Sequence, residues 1–437
     1  MMNPVGVKPS VRGTPTLGLW SATLGFFVGF AAVALFGPTA KQFSDLMNLS
    51  PAQVGLLVAI PSLSGSLLRI PFSAWVDTTG GRKPFLVLLG LSVVGMAGLA
   101  YLVNAYYPEH LSRGMYPLLL LLGVLSGAGI ATFSVGISQV AYWFPQSRQG
   151  FALGTYAGVG NLAPGLFSFL LPVALSAWGL AVAYLAWLAF LVVGTLLYYL
   201  WAQNAPYFQL RDRGVTPAEA QAQARALGQE LFPAGSIRET LVIAARVWKT
   251  WVLVALYFTT FGGFLALTAW LPTYWQNYME MPLVTAGGLT ALYSILASAI
   301  RVFGGSLADR IGGENTAALS LATLLVGSGF MMGAQSPAPA VLGEVLMAIG
   351  MGINNAAVFK LVPKEVPQAV GGASGWVGGL GAFGGFAIPP VMAYFVGLSG
   401  TAGYAQGFLV FVVLSLISLA LVYLLKRTAQ THPAPTR

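Results

Sequence analysis

The sequence contains no cysteine and only two histidines, His110 and His432, among its 437 residues. Disulfide bonds, thiolate metal sites and cysteine nucleophiles are therefore excluded, and a histidine-based metal or catalytic cluster is not expected. Asp, Glu, Lys and Arg together make up only 8% of the chain, whereas soluble globular proteins contain about 25%. We predict neither a metal nor a cofactor, and the shortage of charge argues against a soluble domain.

Hydrophobic residues make up 57% of the chain, glycine contributes 54 residues, and the mean hydropathy is +0.76. These values are typical of a polytopic membrane protein. A membrane-spanning helix needs about 20 mainly apolar residues. Twelve such segments are predicted, at 17–39, 54–76, 84–104, 116–143, 150–174, 179–201, 251–275, 285–307, 315–334, 338–361, 369–395 and 404–425.

The formal net charge of +9 follows this topology. If both termini are cytoplasmic, 17 of the 21 Lys and Arg residues fall on the cytoplasmic side, while Lys41 and Arg113 fall outside. This is the positive-inside pattern of membrane proteins. We therefore interpret the basic excess as a topology signal and not as a nucleic-acid site. The pattern predicts a multi-pass protein of the cytoplasmic (inner) membrane, with both termini cytoplasmic and the lipid bilayer as its surroundings.

A polar stretch divides the predicted spans into two sets of six. We predict an N-terminal six-helix half at 1–201, a cytoplasmic connector at 202–250 and a C-terminal six-helix half at 251–437. The halves resemble each other, because RIPFSAWVDTTGG and RVFGGSLADRIGG share Arg, Asp, Gly and Gly at an offset of 232 residues. Repeated halves are common in secondary transporters. The predicted fold class is an all-α polytopic membrane protein with two pseudo-symmetric halves.

Two of these matched residues, Arg69 and Arg301, fall inside predicted spans. An arginine at the centre of a membrane helix costs about 2.5–3.5 kcal/mol on insertion scales, and it does not neutralise by losing its proton. Among the acidic residues only Glu344 lies clearly inside a predicted span, near its outer end. The arginines therefore need a counter-charge, and we infer an anionic substrate. Snorkelling towards Asp77 and Asp309, or local structural pairing, are the alternatives.

Glycines recur in the predicted fifth and eleventh spans at spacings of three and four residues. The resulting stripes of small residues contain Gly154, Gly158, Asn161 and Gly165 in one span and Gly375, Gly378, Ala382 and Gly385 in the other. Such spacing places the residues on one helical face, and small faces let membrane helices approach closely. We predict that the six glycines serve helix packing or gating, either as static contacts or at a moving interface.

The segments LLRIPFSAWVDTTGGRK and IRVFGGSLADRIGG resemble the major facilitator superfamily. Together with GTYAGVGNLAPG and GGLGAFGGFAIPP, they resemble its nitrate/nitrite porter family over nearly the whole chain. The resemblance implies that nitrate or nitrite binds between the halves, clamped by Arg69 and Arg301. It also implies a polar contact from Asn161 and a role in nitrate assimilation or respiration.

The resemblance further implies aromatic side chains around the flat ion. By local matching these are Phe133, Tyr257, Phe261 and Phe30. The loops with the D-x-x-GG pattern are expected to act as cytoplasmic latches, through Asp77, Arg82, Asp309 and Arg310. Ala382 stands where the matching stripe has Asn161, which leaves the expected site asymmetric.

Two like charges repel when no anion screens them, so we expect exchange of nitrate for nitrite by alternating access, with the monomer as the functional unit. A proton-coupled nitrate symporter, with Glu344 as its titratable group, or a transporter of another small anion remains the alternative. A channel fits the repeated halves less well. An enzyme is not expected, because paired intramembrane carboxylates and an ATP-binding loop are also missing from the sequence.

Overall fold

The protein is seen in a computed structural model that describes residues 11–233 and 237–431. His432 lies outside the described residues, as do the outermost ends of the two predicted halves. Lys8 and Arg437, two of the 17 basic residues assigned to the cytoplasmic side, also lie outside them. Within the described ranges every regular element is a helix.

Eleven segments in these ranges are long and apolar enough to cross a membrane. One of them, Ser147–Trp201, has 55 residues, which at 1.5 Å per residue far exceeds a bilayer core of about 30 Å. Gly179 interrupts it with a φ of 75°, outside the helical range. The segment is therefore two spans, and the prediction of an all-α chain with twelve membrane helices is confirmed.

We number the spans in chain order. Span 1 is Pro15–Phe30, span 2 is Pro51–Leu67 with Arg69–Thr79, span 3 is Arg82–Tyr106, span 4 is Tyr116–Gly127 with Thr132–Trp143, span 5 is Gln146–Gly160 with the part of Leu162–Trp201 before Gly179, and span 6 is the rest of that helix. Span 7 is Trp248–Tyr257 with Gly263–Asn277, span 8 is Leu283–Ile311, span 9 is Gly313–Gly333, span 10 is Pro337–Glu365, span 11 is Val370–Leu380 with Gly384–Ser399, and span 12 is Leu409–Thr431.

The described residues between spans 6 and 7 form three short helices, Pro206–Asp212, Pro217–Ala226 and Ile237–Ala245. Thr216 caps the second of them by accepting a hydrogen bond from the Glu219 backbone N–H, as expected for a Thr-Pro helix start. Because six spans precede this stretch and six follow it, span 1 begins and span 12 ends on the face of the bundle that carries this stretch. We call that face the connector side and the opposite face the far side.

Span 12 begins later than the sequence suggested, at Leu409 and not at residue 404. The chain first reverses at Gly400, which has a φ of 60°, and then forms a single helical turn, Gly403–Gln406. A Cβ at Gly403 would lie 2.2 Å from the Phe395 carbonyl oxygen. This turn therefore packs closely on span 11 before the last helix starts.

The two halves meet most closely on the far side, where span 2 packs on span 11 and span 8 on span 5. A Cβ at Gly55 would lie 2.4 Å from the Ala393 Cβ, and a Cβ at Gly287 would lie 2.4 Å from the Ser168 carbonyl oxygen. Gly55 and Gly287 share the 232-residue offset of the arginines. Two equivalent glycine contacts therefore hold the far side closed.

We expect Gly55→Val to loosen this interface, because side chains forced into a packed contact typically cost about 1–3 kcal/mol. The absence of cysteine allows a single reporter, Ser168→Cys, which lies buried at the other far-side contact. A membrane-impermeant maleimide added on the far side should label this cysteine about tenfold faster in the Gly55→Val background.

Gly90→Val is the matched control, since a Cβ at Gly90 meets nothing within 4 Å. Equal labelling rates in the two backgrounds would show that the glycine contact does not hold the halves together.

Candidate functional site

The predicted site residues cluster at breaks in the membrane helices. Arg69 begins the second segment of span 2, and Asn161 lies between the two segments of span 5. Phe133 follows a 3-10 turn, Ala128–Ala131, and Phe261 lies in a π turn, Phe258–Gly262, within span 7. Such irregular turns often mark functional positions, since they free backbone groups and redirect side chains.

Arg69 is almost fully buried, with 1% of its surface exposed. Its Nε donates to the carbonyl of Gly65 at 3.0 Å, and its Nη1 donates to the carbonyl of Gly378 at 3.1 Å. Gly378 belongs to span 11, so this guanidinium joins the two halves. Its Nη2 is buried without a hydrogen-bond partner, although a guanidinium has five N–H donors to satisfy.

Arg69 and Arg301 approach the same aromatic ring from opposite halves. Their guanidinium carbons lie 5.1 Å and 5.9 Å from the centre of the Phe261 ring. Both distances are within the range of cation–π attraction. The two guanidinium carbons are therefore at most about 11 Å apart. Arg301 also donates to the Tyr257 hydroxyl at 3.4 Å. Among the described residues, no carboxylate forms an ion pair with either arginine.

The predicted aromatic residues form a continuous wall beside the arginines. Tyr257 stacks on Phe261 with ring centres 4.8 Å apart, and Phe133 also stacks on Phe261, with ring centres 5.9 Å apart. Phe133 also lies 5.0 Å beneath the Arg69 guanidinium. Phe30, the weakest of the sequence matches, reaches this wall only through Phe26, whose ring centre is 4.8 Å from it.

Tyr156 belongs to the same wall, and the sequence interpretation missed it. Its hydroxyl lies 2.9 Å and 3.1 Å from the carbonyl oxygens of Thr132 and Phe133. These carbonyls lie at the start of the second segment of span 4, just after the 3-10 turn. Tyr156 thereby fixes the backbone that carries Phe133. The available signal was a tyrosine inside an otherwise small-residue stripe.

Asn161 and Arg301 border a small cavity of about 10 Å³, which is room for roughly one water molecule. The other residues that line it are Phe261, Phe264, Ala297, Ser298 and Asn355. Ser298 donates to the Asn161 carbonyl at 3.1 Å, which links spans 8 and 5.

Two residues that line the cavity carry amide oxygens without partners. The Oδ1 atoms of Asn161 and Asn355 are buried and accept no hydrogen bond from any described residue. Asn355 was not predicted, although the pair Asn354–Asn355 in the apolar run GINNAAV of span 10 is a visible polar signal. Asn354 donates to Thr260 at 3.0 Å, which leaves Asn355 as the member that lines the cavity.

A larger cavity of about 390 Å³ lies between spans 2, 4 and 11 and the residues before span 7. It runs from Asp77 and Gly371 on the connector side to Ile70 and Gly375 deeper in the bundle, and Ile70 directly follows Arg69. Arg69 therefore lies next to the deep end of a cavity whose other end is on the connector side.

The six predicted glycines differ in packing between the connector side and the far side. An added Cβ would meet nothing within 4 Å at Gly154, Gly158 and Gly378, and only the Leu241 side chain, at 3.4 Å, at Gly375. On the far side, a Cβ at Gly165 would lie 2.8 Å from Ile295, and one at Gly385 would lie 2.7 Å from Leu265 and 3.0 Å from Ser62. Each stripe is tightly packed at its far end and open towards the connector.

Three of the four predicted latch residues, Asp77, Arg82 and Asp309, have hydrogen-bond or ion-pair partners inside their own halves. Tyr142 donates to Asp77, and Arg82 donates to the Tyr199 carbonyl at 2.7 Å. Asp309 forms an ion pair with Lys360. Arg310 is exposed and forms no ion pair with any described residue. Their role as latches remains a prediction.

Glu344 in span 10 is fully buried, with 1% of its surface exposed. Trp275 donates its indole N–H to the Glu344 Oε2 at 2.7 Å, and the Oε1 has no partner. Eleven residues of helix, about 16 Å, separate it from Asn355. Glu344 therefore lies on the far side of the arginine site and is not part of it.

Comparison with solved structures gives the fold. The partially occluded, inward-open xylose transporter of Escherichia coli superposes with a TM-score of 0.70 over 94% of this chain and 99% of that one, at 13% identity. A bacterial homologue of the human lysosomal transporter Spinster gives 0.69 over 99% and 100%, at 18% identity.

Sequence comparison gives the family. The model of the Major Facilitator Superfamily matches residues 22–389 and 289–437. A probable nitrate/nitrite antiporter of Thermus thermophilus is 32% identical over 86% of this chain and 84% of its own length. A probable nitrate transporter of Staphylococcus epidermidis is 28% identical over 91% and 94%, and a probable nitrate/nitrite transporter of Mycobacterium tuberculosis is 31% identical over 84% and 85%. The chain belongs to the major facilitator superfamily and, within it, to the nitrate/nitrite porter family.

Proposed function

We propose that this protein exchanges nitrate and nitrite across the cytoplasmic membrane by alternating access, with its termini and connector in the cytoplasm. One observation carries the proposal: Arg69 and Arg301, at matched positions in the two halves, face one phenylalanine ring with no carboxylate paired to either. The names of the relatives support nitrate and nitrite as the ions. All the contributing side chains come from one chain, so a monomer suffices.

The chemistry of the site suits a small oxyanion. The free Nη2 of Arg69 and the guanidinium of Arg301 supply charged donors from two directions, and a guanidinium matches the oxygen spacing of planar oxyanions. Asn161 and Asn355 each carry an amide that presents N–H donors when it turns over. The stacked rings of Tyr257 and Phe261 offer flat apolar surface for the face of a planar ion.

The two arginines also provide a reason for exchange. When nothing screens them, two guanidinium groups in a low dielectric repel, and the repulsion opposes closure of the halves. A bound anion attracts both and permits the closed arrangement. Reorientation then requires an anion in each direction, so that nitrate entry is tied to nitrite exit.

The glycine stripes support alternating access. Glycine is not required for packing at Gly154, Gly158 or Gly378 in the observed arrangement, because space is open around them. Small residues there become necessary if the connector side closes and the helices approach, as they already do at Gly165 and Gly385 on the far side. We infer that the stripes form the contact surfaces of both end states.

Glu344 favours a second candidate, proton-coupled nitrate uptake. A carboxylate buried with one donor and no cation is costly, so this side chain gains and loses a proton only when its surroundings change. A proton taken up here during reorientation would couple transport to a pH gradient. Its distance from the arginine site favours the exchange mechanism.

Arg69→Lys tests the anion clamp. A lysine keeps the charge but loses the planar fork, and hydrogen bonds to charged groups contribute about 1.5–3 kcal/mol. Nitrate/nitrite counterflow in proteoliposomes should fall at least about tenfold. Arg148→Lys, at an exposed connector-side arginine, is the matched control and should leave counterflow unchanged. Normal transport by Arg69→Lys would remove Arg69 from the substrate site.

Gly158→Leu tests alternating access. A Cβ at Gly158 meets nothing within 4 Å, so we expect the observed arrangement to accommodate the leucine and the melting temperature to match that of the wild type. It should block connector-side closure, so counterflow should be lost. Gly90→Leu, which also meets open space, should transport normally. Full transport by Gly158→Leu would show that this stripe does not close.

Uptake assays at a fixed pH gradient separate exchange from symport. We expect nitrate uptake to require internal nitrite, to proceed without a pH gradient, and to be unaffected by Glu344→Gln. Proton-driven uptake into vesicles without internal nitrite, abolished by Glu344→Gln, would instead establish symport.

A further inference from the structure

One face of the connector helix Ile237–Ala245 is apolar in its middle and has an arginine at each end. Arg238, Leu241, Val242, Ala245 and Arg246 follow the i, i+3, i+4, i+7, i+8 spacing of a single helical face. Apolar side chains form the middle of this face, and an arginine stands at each end, about 12 Å apart along the helix. The sequence interpretation assigned these arginines only a topological role.

Two tryptophans fix this helix to the transmembrane bundle. Trp376 of span 11 donates its indole N–H to the Leu241 carbonyl at 3.0 Å, and Trp251 of span 7 donates to the Ala245 carbonyl at 2.8 Å. The Ala245 carbonyl lies in the last turn of the helix, where carbonyls lack helical partners, so the Trp251 indole satisfies it. The Trp376 bond attaches the middle of the helix to span 11. Trp248 and Trp251 are exposed, as is typical of aromatic side chains at the membrane surface.

A groove of about 420 Å³ lies between the connector helix and the bundle. Its wall on the bundle side contains Ala74 of span 2 and Trp376 of span 11, so it spans the seam between the two halves. Leu241 borders both this groove and the larger central cavity. The groove therefore adjoins the connector-side mouth of the central cavity, at the level of the interfacial tryptophans.

The charge of the groove lacks an internal partner. Arg238 and Arg246 line it, both are exposed, and neither forms an ion pair or a side-chain hydrogen bond with any described residue. Arginine stems pack along apolar surface while the guanidinium remains in the polar layer. The groove is therefore apolar in its middle and has an unpaired guanidinium group at each end. It complements a molecule that has a phosphodiester in the polar layer and hydrocarbon on the side of the membrane interior.

We propose that this groove binds an anionic phospholipid, with its phosphate at Arg238 and Arg246 and its upper acyl chains along Leu241, Val242 and Trp376. Basic pockets at the cytoplasmic surface of transmembrane bundles attract such headgroups, and an interfacial amphipathic helix strengthens the attraction. A soluble phosphate compound lacks the hydrocarbon that the middle of the groove accommodates. The bound lipid contacts span 2 and span 11 at once, so it touches both halves of the transporter.

Native mass spectrometry of the full chain in detergent tests the proposal, with phosphatidylglycerol and phosphatidylcholine as probes. The wild type should bind phosphatidylglycerol more tightly. Arg238→Gln with Arg246→Gln should weaken that binding roughly tenfold to thirtyfold, because each basic residue near a membrane surface contributes substantially to anionic-lipid binding. Binding of phosphatidylcholine should not change. Arg238→Lys with Arg246→Lys should retain most of the preference for phosphatidylglycerol over phosphatidylcholine, since a lysine ammonium also binds a phosphate.

Lys83→Gln with Arg148→Gln is the matched control, because both residues are exposed on the connector side and the same charge is removed. Equal losses of phosphatidylglycerol binding in the two double variants would show that the effect comes from diffuse positive charge, and would overturn the site. Unchanged binding in both double variants would also overturn it. Displacement of phosphatidylglycerol by millimolar glycerol phosphate would overturn it too, because the site would then belong to a free phosphate compound. Matching elution volumes and melting temperatures confirm that the variants are folded.

Discussion

Two guanidinium groups held in a membrane interior without a carboxylate are the constraint on which the rest of the bundle depends. Arg69 is stabilised by carbonyls from both halves and by two aromatic rings. Helix breaks in spans 2, 4, 5 and 7 bring those rings and polar groups to one level. In regular helices the backbone carbonyls would accept hydrogen bonds from their own helix. Fewer carbonyls would then be left to accept from the Arg69 guanidinium.

The sequence was most informative where membrane energetics allows few alternatives. Charged residues inside apolar runs are rare enough to identify Arg69 and Arg301. The 232-residue offset between their matching segments identified the repeat. The twelve helices and the family were predicted correctly for the same reason. Tyr156, Asn355 and the far-side contacts at Gly55 and Gly287 were missed, because their importance depends on which helix faces lie opposite them.

The latch residues show the same limit. Asp77 and Arg82 carry opposite charges five residues apart, yet each is bonded to a different helix of its own half. Asp309 pairs with Lys360, which is 51 residues distant. Partner choice is decided by tertiary packing, which a repeat pattern does not encode.

The narrow cavity beside Arg301 has a consequence for selectivity. A space of about 10 Å³ holds about one water molecule, so an ion that enters must leave its hydration shell behind. Arg301, the surrounding rings and the two amides replace only part of that shell. Weakly hydrated, singly charged ions give up water cheaply, whereas sulfate and phosphate hold it tightly. Discrimination among anions then begins with the free energy of dehydration, before the geometry of any hydrogen bond is tested.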